Sequence, residues 1–213
     1  MIHCHYIKTL PNGDICLIML HVDDMCMMTP KDGIEKAILK NKLTTKYGNM
    51  KIQNDDCFSS VGIECKRHGD RLELNACKRI EKLCEKFGVN SNATYLTKPD
   101  FLDFTKEYED FKDITLYRSL VMSMRFIAQI VKPEILFPVS YLSTKQACPS
   151  VKDWNDALHI AKYLRKTKDD SIWITIIGAS MNPVIRVYAD ASWRIFEDET
   201  SHDGSAIFIG ECK

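Results

Sequence analysis

An α+β fold is predicted by three features of the chain. An apolar run near the start is broken by a pair of carboxylates, the middle carries helical stripes, and the end breaks into short β-branched runs. Ile15 to Leu20 is a continuous apolar run of strand length, which predicts a strand buried on both faces. His21, Val22, Asp23 and Asp24 interrupt it before Met25 to Met28 resumes it, so a hairpin with two carboxylates at its tip is expected. Pro11, Asn12, Gly13 and Asp14 supply turn chemistry just ahead.

The remaining elements follow in order. Residues 32–47 read as a helix, with Ile34, Ile38, Leu39, Leu43 and Tyr47 close to helical spacing and lysines on the other faces. Phe58 to Cys65 and Arg71 to Leu74 read as paired strands around a His68-Gly69-Asp70 turn. In residues 76–87, Ile80, Leu83, Cys84 and Phe87 fall at i, i+3, i+4 and i+7, and Gly88 is a C-terminal stop. Residues 97–113 lose periodicity and gain Pro99 and several charges, which marks a linker between two lobes. Helices are expected at about 114–129, 134–146 and 151–167. Trp154, Ala157, Leu158, Ala161 and Leu164 stripe the last. Pro133 and Pro149 sit where helices start, whereas Pro138 falls inside one and should kink it. Ile172 to Ile177, Val184 to Ala189 and Ser205 to Ile209 are strand-like.

Composition narrows the function. Lys plus Arg equals Asp plus Glu at 29 each, a balance unlike that of a free-standing nucleic-acid binder. The nine cysteines contain no Cys-x-x-Cys pair, which argues against a disulfide framework or zinc ribbon and for small core residues in a reducing compartment. The N-terminus lacks a signal-peptide pattern, and the longest apolar run is too short to span a membrane. A cytoplasmic, intracellular location is expected, with a virus-like particle or the nucleus as alternatives.

Asp23 and Asp24 are the sharpest chemical signal. Adjacent carboxylates on a tight turn between apolar strands are held outward together, as two-metal phosphoryl transfer requires. Their hard oxygens suit magnesium. Asp-Asp is also plain turn chemistry, so the dipeptide alone does not decide. His3, Cys4 and His5 cluster near the start, but alternation on a strand would turn Cys4 away from both histidines, and a plain strand is favoured. His159 reads as structural rather than catalytic, and the three tryptophans, Trp154, Trp173 and Trp193, as core or interface residues rather than base-stacking platforms.

The wider context points one way. Leu20 to Met25 (LHVDDM) resembles the Tyr-Val-Asp-Asp-Met signature of copia-type LTR retrotransposon Pol polyproteins. Phe58 to Glu64 (FSSVGIE) is similar to the family's primer-grip segment, and Leu74 to Gly88 to its thumb helix. Tyr117 to Val121 (YRSLV) and Lys132 to Ile135 (KPEI) resemble its connection motifs, and Trp154 to Leu164 its next helix. Val187 to Trp193 (VYADASW) resembles the start of the RNase H domain. These matches run in family order along nearly the whole chain.

The resemblance implies an architecture and roles. Residues 1–96 would be a partial reverse-transcriptase palm with its catalytic hairpin and a thumb, 97–113 a linker, 114–180 a helical connection, and 181–213 the first strands of a truncated RNase H-like sheet. Asp23 and Asp24 would be catalytic, metal-binding carboxylates of the palm, and Asp190 the first RNase H carboxylate. His21 and Val22 would lie beside the nucleotide. Gly62 would position the primer end, and Lys78, Arg79, Lys82 and Lys86 would meet backbone phosphates. For these bases a solvated face paired with Glu81 and Glu85 is an equal alternative. The cofactor would be Mg2+ in a two-metal site incomplete in this chain. The partners would be an RNA or DNA primer-template, with the rest of the polyprotein or a second copy.

The resemblance also implies a fragment or degenerate copy, inactive alone. The family's first palm carboxylate and fingers would precede residue 1, and most RNase H acids would follow residue 213. His21 replaces the family aromatic. Met122 replaces a family glycine, so a close helix contact should open. The alternatives are a non-enzymatic nucleic-acid- or protein-binding module, and one part of a split product completed by another polypeptide.

Overall fold

The computed structural model describes residues 4–21, 24–30, 34–49, 51–53, 56–103, 105–175, 184–194 and 201–209. It is mixed α and β with antiparallel sheets. The chain divides into two compact units, residues 1–65 and 66–213.

In the first unit, β1 (Cys4–Thr9), β2 (Ile15–His21) and β3 (Asp24–Met28) form an antiparallel sheet in that order. The β1–β2 turn is fixed locally. The Leu10 amide donates to the Asp14 carbonyl at 2.7 Å, the Asn12 side-chain amide donates to the Asp14 carboxylate, and Gly13 takes the left-handed φ of 87°. Among the β2 residues whose burial is described only Cys16 is buried, and Ile15 is 61% exposed, so β2 is not covered on both faces as its apolar run implied. Helix α1 (Glu35–Tyr47) begins later than expected and buries no side chain, against the reading of an apolar stripe.

The expected strand at 58–65 is two elements. β4 (Cys57–Ser60) turns through Val61 and Gly62, with φ of 52° and 77°, into β5 (Ile63–His68). Two successive left-handed residues are the geometry of a type I′ hairpin turn, which twists with its strands. Valine is a costly residue there, which is why the sequence disguised the turn as strand.

In the second unit the end of β5 neighbours β6 (Arg71–Asn75) around Gly69, and β6 pairs antiparallel with β7 (Ile172–Thr175), from Arg71↔Thr175 to Leu74↔Ile172. Between these distant strands run α2 (Cys77–Lys86), α3 (Ile114–Ile130), a 3-10 turn (Pro133–Ile135), α4 (Leu136–Thr144) and α5 (Val151–Lys166). Their helical stripes meet: Ile80, Leu120, Met124, Ile127, Val139, Leu142, Ile160 and Leu164 are fully enclosed. Pro138 does not kink α4, because the helix starts at Leu136 and Pro138 lies in its first turn, where amides have no intrahelical acceptor to lose. Met122 opens no helix contact either, since it is 47% exposed.

Residues 97–113 are strapped onto α5. Phe101 is buried, Phe111 stacks on Trp154 with centroids 4.7 Å apart, and the Phe111 amide donates to the Pro149 carbonyl at 2.7 Å. Lys98 and Lys152 both donate to buried Asp156, at 3.1 and 2.8 Å. A capping box between Ser150 and Asp153 starts α5. Finally β8 (Ile185–Ser192) and β9 (His202–Ile209) form a two-stranded antiparallel ribbon.

Candidate functional site

The tip of the β2–β3 hairpin is defined by its register. Leu17↔Met28, Ile18↔Met27, Met19↔Cys26 and Leu20↔Met25 lead to a closing pair His21↔Asp24, which leaves two residues, Val22 and Asp23, in the sequence between them. A two-residue connection is the shortest common antiparallel hairpin loop. Val22 and Asp23 lie outside the described residues, and of His21 and Asp24 only the backbone is described.

The other sequence-predicted residues are placed as follows. Gly62 is the second left-handed residue of the β4–β5 turn. Its φ of 77° is reached at no steric cost by glycine alone. Lys78, Arg79, Lys82 and Lys86 belong to α2, whose opposite face buries Ile80, Leu83 and Cys84. Two of these bases are engaged inside the unit. The Arg79 guanidinium lies 3.8 Å from the Phe126 ring centroid, and the Lys86 ammonium donates to the Ser119 hydroxyl at 2.7 Å. A cation over an aromatic face is attracted by the ring quadrupole, so Arg79 serves the α2–α3 contact. Glu81 pairs with Lys168, and this bond holds the Glu81 carboxyl below its ordinary range.

Asp190 lies in β8 opposite Gly204 and accepts from the Ala191 amide at 3.0 Å. Its strand is exposed throughout and, among the described residues, pairs with β9. Among the described residues no three His, Cys, Asp or Glu groups come together as a metal site. His5 is on β1, while His3 lies outside the described residues. The His159 ring contacts the Tyr95 carbonyl at 3.1 Å. Trp173 and Trp193 are 51% and 81% exposed, so neither is a core residue.

Sequence reasoning missed what the connection motifs do. The buried Tyr117 hydroxyl donates to the Leu142 carbonyl at 2.8 Å, and Arg118 Nε donates to the Gln146 carbonyl at 3.0 Å, both at the end of α4. The Lys132 ammonium, 3% exposed, donates at 2.6 Å to the carbonyl of Thr167, the residue that caps α5. Helix C-termini leave carbonyls without intrahelical donors and carry partial negative charge, so cations and hydroxyls settle there. The signal available in sequence was the position of each motif base relative to a helix end, but the partner carbonyls lie 25 to 35 residues away.

Comparison with known proteins adds ancestry. The chain is 28% identical over 211 residues to a Saccharomyces cerevisiae protein ascribed to transposon Ty5-1, covering 97% of this chain and 66% of that protein. It is 25% identical over 197 residues to the retrovirus-related Pol polyprotein from transposon TNT 1-94 of Nicotiana tabacum, covering 88% of this chain and 14% of that polyprotein. These likenesses support descent from a copia-type retrotransposon Pol polyprotein. It thus spans about two thirds of the yeast relative and a small part of the tobacco polyprotein. No family model and no solved structure matches it. No described helix is long and apolar enough to cross a membrane.

Proposed function

We propose that these 213 residues are part of a reverse transcriptase, or a degenerate copy of that part, running from the palm carboxylates into the start of RNase H. The supporting observation is the β2–β3 register, whose closing pair His21↔Asp24 brackets Asp23 on an antiparallel hairpin. A turn this short limits where two neighbouring carboxylates can go, and rigid placement is what charge stabilisation in phosphoryl transfer depends on. Homology to transposon Pol proteins supports the same reading. In it, Asp23 and Asp24 would hold magnesium, which would activate a primer hydroxyl, and Asp190 would do so for RNase H. The described residues do not by themselves assemble such a site, since no three suitable donors converge among them. In this reading the family's first palm carboxylate lies outside the matched motifs, so the segment alone is inactive.

Primer extension on an RNA template with magnesium tests this, using the 213-residue chain and its Asp23→Asn/Asp24→Asn variant. Neither protein should extend the primer. Extension by the wild type alone would overturn the inactivity while confirming the carboxylates. Equal extension by both would overturn the assignment of Asp23 and Asp24.

A further inference from the structure

We infer that α1 is an interfacial anchor, a helix that lies flat on the surface of a bilayer containing anionic phospholipid. At about 100° per residue, Leu39, Leu43 and Tyr47 form one apolar stripe about 80° wide along the helix. Lys40 and Lys46 flank it on opposite sides, each about 60° from Leu43. Lys36 falls within the stripe, and Lys42 lies beyond Lys46. The lysines therefore share the side of the apolar stripe and do not occupy the other faces, as the sequence reading had them. All four lysines are exposed, Tyr47 is 66% exposed, and Leu39 and Leu43 are half-buried. The Lys46 ammonium lies 5.1 Å from the Tyr47 ring centroid, so charge and apolar surface are contiguous. Ala37, Asn41 and Thr45, also exposed, lie on the side opposite.

The helix gains little from the protein around it. It buries no side chain and has no side-chain bond at its N-cap. Its lysines repeat as two i,i+4 pairs, 36/40 and 42/46, an arrangement in which like charges repel. A short helix of this kind is marginal without tertiary packing. Local conflicts without a packing gain are the mark of a functional surface.

Charge and apolar surface together select the occupant. Between residues 34 and 53 the sequence has five lysines, Lys36, Lys40, Lys42, Lys46 and Lys51, against one carboxylate, Glu35, in a chain whose charges otherwise balance at 29 and 29. An interfacial helix buries its apolar face about 5–10 Å into the boundary between headgroups and acyl chains, and its basic residues meet anionic headgroups. Lysine stems lie along apolar surface while the ammonium stays in water, so a lysine within or beside the stripe is compatible with that burial. A purely polar polyanion would answer the lysines but leave Leu39, Leu43 and Tyr47 against hydrated phosphate. The bilayer answers both, covering the stripe and relieving the lysine repulsion. The 13 residues of α1 rise about 20 Å, so the helix lies on the surface and does not cross it. The inference rests on this pattern and not on polymerase activity.

The test is sedimentation of the 213-residue chain with vesicles of equimolar phosphatidylcholine and phosphatidylserine, and with vesicles of phosphatidylcholine alone. The wild type should partition onto the mixed vesicles in preference, and less so as salt rises. Lys36→Gln/Lys40→Gln/Lys42→Gln/Lys46→Gln should lower that partition by about a hundredfold or more, at about fivefold per lysine. A charge-matched control, Lys8→Gln/Lys66→Gln/Lys106→Gln/Lys112→Gln, should lower it by less than about fivefold. Tyr47→Ser keeps every charge and should lower it by about threefold to tenfold. Since α1 buries nothing, circular dichroism of each variant without vesicles should match the wild type. Amide hydrogen exchange across residues 35–47 should slow on the mixed vesicles. A wild type that stays in the supernatant overturns the inference. So does a Tyr47→Ser chain that binds as the wild type does, since the surface is then purely electrostatic, as one for nucleic acid would be. Slowed exchange that misses α1 overturns it by moving the contact to another surface. None of these outcomes depends on primer extension, so this inference and the polymerase reading fail separately.

Discussion

Replacing Asp156 with alanine should destabilise the second unit more than any surface change of equal size. Asp156 is 3% exposed and accepts from Lys152 at 2.8 Å and from Lys98 at 3.1 Å. The two lysines differ in what they lose. Lys152 is 12% exposed and keeps the Phe101 carbonyl at 3.0 Å and a place 5.8 Å from the Phe101 ring centroid, but loses the carboxylate bonded to its charge. Breaking a buried pair from one side costs about 3–5 kcal/mol. Lys98 is 37% exposed and turns to water, so Lys98→Met should cost about 1 kcal/mol or less. With a urea m-value of about 2 kcal/mol/M, Asp156→Ala should lower the midpoint by about 1.5–2.5 M and Lys98→Met by under about 0.5 M. Trp154 stacks on Phe111 of the strap and reports the transition by fluorescence, in a Trp173→Phe/Trp193→Phe background. A shift below about 0.5 M for Asp156→Ala, or equal shifts for both variants, would refute the assignment of a buried, strap-holding carboxylate.

Tyr117→Phe removes the hydroxyl donor of the Leu142 carbonyl, which still accepts from the Lys145 amide at 3.2 Å, and should cost about 0.5–1.5 kcal/mol in the same urea assay. Burial, followed by a hydrogen bond to the Asp169 carboxylate, pushes the Cys77 thiol up to about 11. Its thiolate fraction at pH 8 is then about one in a thousand, so iodoacetamide should label Cys77 slowly, and Asp169→Asn should speed labelling. The Glu73 carboxyl is held below its ordinary 4.5, first by the Ser171 hydroxyl and then by His68. A depressed carboxyl contributes stability above its unfolded value that is lost as pH falls through the folded one. Between pH 4.5 and lower values the wild type should therefore lose stability more steeply than Glu73→Gln, as read by urea midpoints at each pH.

Legibility from sequence followed how local the deciding interaction was. The α2 stripe of Ile80, Leu83 and Cys84 was readable because its burial follows from spacing on one helix. The starts of α3 and α5 lie where expected, at 114 and 151, and the structure shows Asp113 and Ser150 capping them from adjacent positions, a local interaction. The β4–β5 turn was not, since Val61 and Gly62 lack the usual Asn-Gly signature. Nor was the exposure of α1 or β2, because an apolar run says what a surface prefers and not what reaches it. The β6–β7 pairing joins segments about a hundred residues apart, beyond any local pattern. For the candidate site, the pair Asp23 and Asp24 was legible as a motif on a hairpin. The intramolecular use of Arg79 and Lys86 was hidden because Phe126 and Ser119 come from α3.

The helix-end contacts change the weight of the family resemblance. Tyr117, Arg118 and Lys132, the polar residues of the connection motifs, all bond to carbonyls at the ends of α4 and α5. A chain would need them to fold whether or not it ever copied a template. They testify to architecture and are silent on catalysis. Met122 is silent in the complementary sense: the family glycine it replaces has no counterpart in a close contact here, since the side chain faces solvent and takes only a bond from Gln146 to its sulfur. In the proposed reading, what bears on activity is confined to Asp23, Asp24 and Asp190. Asp190 on the exposed β8 gains nothing from the hydrophobic core, so in that reading chemistry rather than packing accounts for its presence.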